Sequence, residues 1–142
     1  GLPQVICPGA IEVLVFGEPE TVPPPFNTRT LIRHSPQITD VRLNKDEMIA
    51  VAQEVAKRLG HTRDRALFMV PTAGFDSYGV KGQGFHDPDA DAAFVTTVKK
   101  LLPDNFEVIE RDTHIDDPKF ATEAASRLIQ LVEARVRRNP KS

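Results

Sequence analysis

Ala66-Leu67-Phe68-Met69-Val70 is the stretch that decides the fold. An unbroken apolar run with no polar alternation describes a strand covered on both faces, which is the habit of a parallel sheet with helices on either side. Pro71 to Asp87 follows, with Gly74, Gly79, Gly82 and Gly84 and no periodicity of its own. It reads as a long loop, and such loops inside a compact domain are functional or mobile. His86-Asp87-Pro88-Asp89 then opens a helix over 88–102, with Ala90, Phe94, Val98 and Leu101 inward. Aspartate caps a helix through its side-chain oxygen, and proline fits the first helical position because its missing N–H had no partner there.

The same turn chemistry recurs at Asp116-Asp117-Pro118-Lys119, after a strand over Phe106 to Ile109. It opens a last helix over 118–137, with Phe120, Ala124, Leu128, Leu131 and Val132 inward. Arg135, Arg137 and Arg138 suit the negative end of its dipole. Upstream, Asn44 with Glu47 three residues on forms a capping box for a helix to Leu59, stopped by Gly60. Its apolar stripe is Met48, Val51, Ala52, Val55 and Leu59. Thr30 to Arg33 is a weak strand. From there on, strand and helix alternate, which predicts an α/β fold, a three-layer sandwich around a mainly parallel, Rossmann-like sheet.

The first residues are less regular. Gln4 to Cys7 is a short strand ended by Pro8-Gly9. Ile11 to Phe16 is a second apolar run, too close for a crossover helix, so a bent continuation competes with a parallel strand. Residues 17–29 hold Pro19, Pro23, Pro24 and Pro25 and form a proline-rich excursion, since proline blocks both helix and central strand. Gly1-Leu2-Pro3 leads almost directly into the strand, which suggests a sheet incomplete at its N-terminus. Residues 1–142 are therefore expected to be the C-terminal portion of one α/β domain, with a flexible tail at 138–142.

The chain carries a net charge of −2, so no basic field points to nucleic acid. No apolar run approaches the roughly 20 residues of a membrane helix. A single cysteine, Cys7, excludes an internal disulfide and fits a cytoplasmic location. In a parallel sheet, ligands bind at the carboxyl edge, where strand-to-helix loops lie. Three predicted strand ends there carry His34, Thr72 and Asp112. His114, with Asp112 or Asp116 to orient it, has the chemistry of a general base or metal ligand. Capping by Asp116 and Asp117 is the structural reading of the same residues. His86 can reach the same edge, and Thr72-Ala73-Gly74 can offer backbone amides to an anion. The candidate catalytic residues are thus His114, Asp112 and His86, and the candidate ligand-binding residues His34, Thr72, Gly74 and Asp116. No phosphate-loop or dinucleotide fingerprint is present.

Several separated motifs resemble one family in order. They are Cys7 to Gly17 with Pro19-Glu20-Thr21-Val22-Pro23, then His34-Ser35-Pro36-Gln37-Ile38-Thr39, then Phe85 to Ala92, then Asp112 to Asp117. The family comprises two-domain, ATP-binding-type proteins related to the tomato mosaic virus resistance protein. The resemblance implies that this chain is the C-terminal part of the second domain. It implies that the ATP site belongs to a first domain outside this chain, so no ATP-binding residue transfers to it. A strand edge or apolar face left uncovered predicts contacts with its own upstream segment or first domain, or with another copy in a homo-oligomer, while charge and hydropathy point to neither nucleic acid nor membrane as partner. A role in domain or subunit assembly, with small-ligand binding, is the reading that follows. The alternative is a hydrolase or lyase using the His/Asp group, with metal use open.

Overall fold

The structure, a computed structural model, describes residues 1–138, so the expected tail lies outside the described residues from 139 on. In chain order the elements are β1 (Gln4–Ile6), β2 (Val13–Phe16), β3 (Leu31–Ser35), β4 (Ile38–Arg42), α1 (Lys45–Leu59), β5 (Ala66–Pro71), α2 (Pro88–Leu101), β6 (Phe106–Arg111) and α3 (Pro118–Arg138). β1, β5 and β6 make a parallel sheet in the order β1-β5-β6. β2, β4 and β3 make a separate antiparallel sheet with β4 in the middle.

β5 explains the layering. Successive side chains of a strand point to opposite faces. Phe68 and Val70 meet Met48 and Ala52 of α1 and Phe94 and Val98 of α2. Leu67 and Met69 meet Phe120 of α3 on the other face. Every residue of β5 is buried, as its unbroken apolar run requires. Rings stack across the larger core, with Phe94 centred 6.4 Å from Phe68 and 5.6 Å from Phe75. α1 and α2 lie on one face because both crossovers run in the same direction, β1 to β5 and β5 to β6, and both are right-handed. α3 follows the last strand and returns over β1 and β5 on the opposite face.

The helix ends are local chemistry. Asn44 accepts from the Glu47 amide at 3.0 Å, and the Glu47 carboxylate accepts from the Asn44 amide at 2.9 Å. Asp87 accepts from the Ala90 amide at 3.0 Å. Asp117 is the residue at the start of α3, accepting from the Lys119 amide at 2.8 Å.

Four expectations are corrected. The strand near residue 30 is not the first strand of the parallel sheet: β3 belongs to the antiparallel sheet, and β1 is the partner of β5. The run at Ile11 to Phe16 is neither a continuation of β1 nor a parallel strand: β2 runs antiparallel to β4. β4 itself was not expected, because its two charged residues face inward. The crossover from β1 to β5 therefore carries a whole three-stranded sheet and the excursion, which contains two short 3-10 turns. Lastly, Leu128 and Val132 of α3 and Leu101 of α2 are exposed rather than inward. The apolar stripe of α3 is wider than the sheet face beneath it, and Leu102 takes the core position expected of Leu101.

Phe68→Ala should cost about 3–5 kcal/mol of unfolding free energy, by removing a fully buried ring from the centre of the sheet. Asn44→Ala should cost about 1 kcal/mol through the lost cap. Urea denaturation of both variants checks the contrast.

Candidate functional site

The loops after β1, β5 and β6 gather at the carboxyl edge and are laced together. The Ala10 amide donates to the Phe75 carbonyl at 2.8 Å, and the Ile115 amide donates to the Gly74 carbonyl at 3.1 Å. Gly74 has φ 150°, and a Cβ there would stand 2.8 Å from Val80 Cγ1, so glycine is required. Asp76 folds the loop back, accepting from the amides of Tyr78 at 2.8 Å and Gly79 at 2.6 Å.

An open groove of about 360 Å³ runs along α2 from this loop. Thr72, Phe75, Gly79, His86, Asp91 and Val95 line it, and a Lys99–Glu110 ion pair of 2.5 Å closes the far end. His86 Nδ1 stands 3.0 Å from the Gly79 carbonyl oxygen. A carbonyl can only accept, so Nδ1 carries the hydrogen and Nε2 of the neutral ring keeps a free lone pair.

Behind Gly79 lies a buried polar group that the sequence reading did not single out. Glu12 is wholly buried, and a Cβ on Gly79 would come within 2.8 Å of its Oε1. Among the described residues, neither carboxyl oxygen of Glu12 has a hydrogen-bond partner. Burial raises its pKa from the usual carboxyl range to about 8, and the nearby Asp76 adds to the rise. At neutral pH Glu12 is therefore a neutral acid. Arg42 lies beside it and pairs with Asp91. Arg42 also donates to the Asp87 carbonyl at 3.4 Å. Burial pushes Asp91 upward, partly countered by Arg42. Asp40, two residues earlier on β4, is also buried and pushed upward by burial.

The expected residues divide. Thr72 and His86 share the groove. Gly74 shapes the loop but is not part of the lining. The amides of Thr72, Ala73 and Gly74 are spent within the fold, donating to the carbonyls of Arg111, Thr113 and Pro71 at 2.8, 3.0 and 3.5 Å. His114 is placed by a parallel bridge to Gly74 rather than in the groove, and its Nδ1 is buried without a partner among the described residues. Asp112 and Asp116 are exposed on the last loop. His34 sits on the antiparallel sheet, with Nδ1 3.3 Å from the Tyr78 hydroxyl and 3.8 Å from Asp40. It is not at a strand end of the parallel sheet, which corrects the expected grouping of His34 with Thr72 and Asp112. Among the described residues, no group of three or more His, Cys, Asp or Glu is placed to hold a metal ion. Nor is any helix among them long and apolar enough to cross a membrane. One signal could have found Glu12: it is the sole carboxylate within the apolar run from Ile11 to Phe16.

Comparison with known proteins gives a consistent family. Residues 1–132 match the C-terminal domain of the uncharacterised protein family UPF0261. A UPF0261 protein of Clostridium tetani is 31% identical over 134 residues, which is 94% of this chain and 33% of the relative. One from Rhizobium meliloti is 33% identical over 127 residues, 88% of this chain and 32% of the relative. The ToMV resistance protein Tm-1(GCR237) of Solanum lycopersicum is 27% identical over 132 residues, 92% of this chain and 18% of that protein. The chain thus spans about a third of the length of the bacterial relatives it matches.

The buried acid makes stability depend on pH. The folded chain holds a proton on Glu12 up to about pH 8, whereas the unfolded chain releases it near the ordinary value of 4.5. Its stabilising effect is full below the unfolded value and is lost as pH rises to the folded one, on the order of a few kcal/mol in total. Between about pH 5 and pH 8, the unfolding free energy of Glu12→Gln should fall less than that of the wild type, leaving the variant more stable at the upper end. Urea titrations across that range check it, and parallel curves for the two proteins would show that Glu12 holds no such proton.

Proposed function

The chain belongs to the UPF0261 C-terminal domain family, and we propose that it is the small-ligand-binding unit of a longer cytoplasmic protein. One observation carries the reading: the groove at the carboxyl edge, where His86 is oriented by the Gly79 carbonyl and presents Nε2. Open α/β sheets place ligands at this edge. Phe75, Ala92 and Val95 supply an apolar wall. His86 Nε2 accepts one hydrogen bond, so the ligand is a small molecule with an apolar body and a hydroxyl or N–H at its polar end. A hydrolase or lyase is the second reading, favoured by the same imidazole, whose Nε2 is free to take a proton.

Amide NMR of the labelled chain, titrated with aromatic alcohols and amides, tests this. Saturable shifts are expected at Thr72, His86 and Val95. They should weaken in His86→Ala and vanish in Ala92→Phe, which fills the groove. Shifts confined to other surfaces, or unchanged by both substitutions, would sink the reading.

The nucleotide site belongs to the part of the protein outside this chain. The loop amides after β5 are already paired within the fold. No Gly-Lys-Ser/Thr loop stands at a helix start. Calorimetry of this chain with Mg-ATP should give no saturable heat; tight binding would overturn the assignment.

A further inference from the structure

We propose that one flank of α3 seats a helix from the segment that precedes β1 in the longer protein, and that this helix belongs to the other half of a doubly wound sheet. The flank is defined by the helix itself. At about 100° per residue, Leu128, Ile129, Val132 and Val136 fall on one side of α3, with Ala121 and Ala125 continuing the stripe. Ile129 is 58% exposed and Val136 61%. Gln130 and Arg137 fall towards the opposite flank. Isolated exposed apolar residues need no explanation, but a continuous stripe along a helix does.

The direction in which the stripe faces follows from one ion pair. Glu123 lies towards the polar flank and is held by Arg111 of β6 at 2.5 Å. The apolar flank is therefore turned away from β6, towards the β1 side of the sheet. Among the described residues, β1 has a neighbour on one side only. A strand added at its free edge would extend the sheet beneath the bare flank.

Handedness decides which helix arrives there. β1 to β5 and β5 to β6 step in one direction and place α1 and α2 together on one face. Preceding strands that step in the same direction would place their helices on that face too and leave α3 bare. Strands that step the opposite way, outward from the middle of the sheet, place their right-handed crossovers on the face of α3. Helices of such units run antiparallel to their strands, so the incoming helix lies parallel to α3. The stripe on α3 favours this second arrangement. The occupant is a segment of the same polypeptide because the bacterial relatives are about three times as long as the stretch matched here, and that stretch is their C-terminal domain.

The test uses the full-length polypeptide in which this chain lies. Single cysteines at Ile129 and Val132, and at Gln130 and Arg137 on the other flank, are labelled with a maleimide and located by mass spectrometry. Ile129→Cys and Val132→Cys should react roughly tenfold or more slowly than Gln130→Cys and Arg137→Cys, because only local opening exposes them. The difference should persist on dilution to the monomer. In the isolated 142-residue chain, all four should react fast. Equal rates on both flanks of the full-length protein would overturn the proposal. Protection that vanishes on dilution would also overturn it, in favour of a second copy as the occupant.

Discussion

The guanidinium of Arg42 ties this structure together. It stands on the middle strand of the antiparallel sheet and reaches the first turn of α2 through Asp91 and the Asp87 carbonyl. It also approaches the Glu12 carbonyl at 3.5 Å and Met48 Sδ at 3.9 Å. One side chain therefore fixes the inserted sheet against both helices of the larger core. A planar, permanently charged fork suits this task, because it serves several acceptors in fixed directions. The arrangement also constrains its neighbours. Asp91 is half-buried beside this cation, and a pair withdrawn from water costs more when broken than it contributes when formed. With Arg42 committed to Asp91, Glu12 has no cation of its own and stays neutral.

A second tie works in parallel. Arg29, at the end of the proline-rich excursion, grips Glu47 through two hydrogen bonds of 2.7 and 2.9 Å. Glu47 also closes the capping box of α1. The excursion is thereby fastened to a helix start whose geometry is already set by its own backbone. Arg29 and Arg42 together explain how a long insertion between β1 and α1 can coexist with a well-ordered parallel sheet.

The helices and β5 were legible because their determinants are local. Asn44 and Glu47, Asp87 and Pro88, and the unbroken run at Ala66–Val70 each state their structure within a few residues. β4 was not legible. Ile38-Thr39-Asp40-Val41-Arg42 shows no apolar alternation, and the strand is buried on both faces, with Asp40 and Arg42 inside as well as Thr39 and Val41, while Ile38 at its start is exposed. Its register, Asp40 opposite Ile32 and Val15, is a nonlocal fact. Thr72 and His86 could be assigned to the carboxyl edge because the edge follows from topology. The cluster of Glu12, Arg42 and Asp91 could not, since it forms only when the inserted sheet folds onto the loop after β5. On α3 the width of the apolar stripe was legible, but how much of it this chain covers was not.

The insertion between β1 and α1 also sets an order of events during synthesis. β1 leaves the ribosome well before β5, its only partner among the described residues, with Gln4 beside Ala66. Until then its groups on the β5 side have no ladder to join. The β3–β4 hairpin and α1, whose contacts are local, can form in that interval, because nearby segments close at less entropic cost than distant ones. The nascent chain thus carries a strand with its β5 edge open while the inserted module takes shape behind it. Chaperone dependence during translation would concentrate in that interval, before β5 emerges.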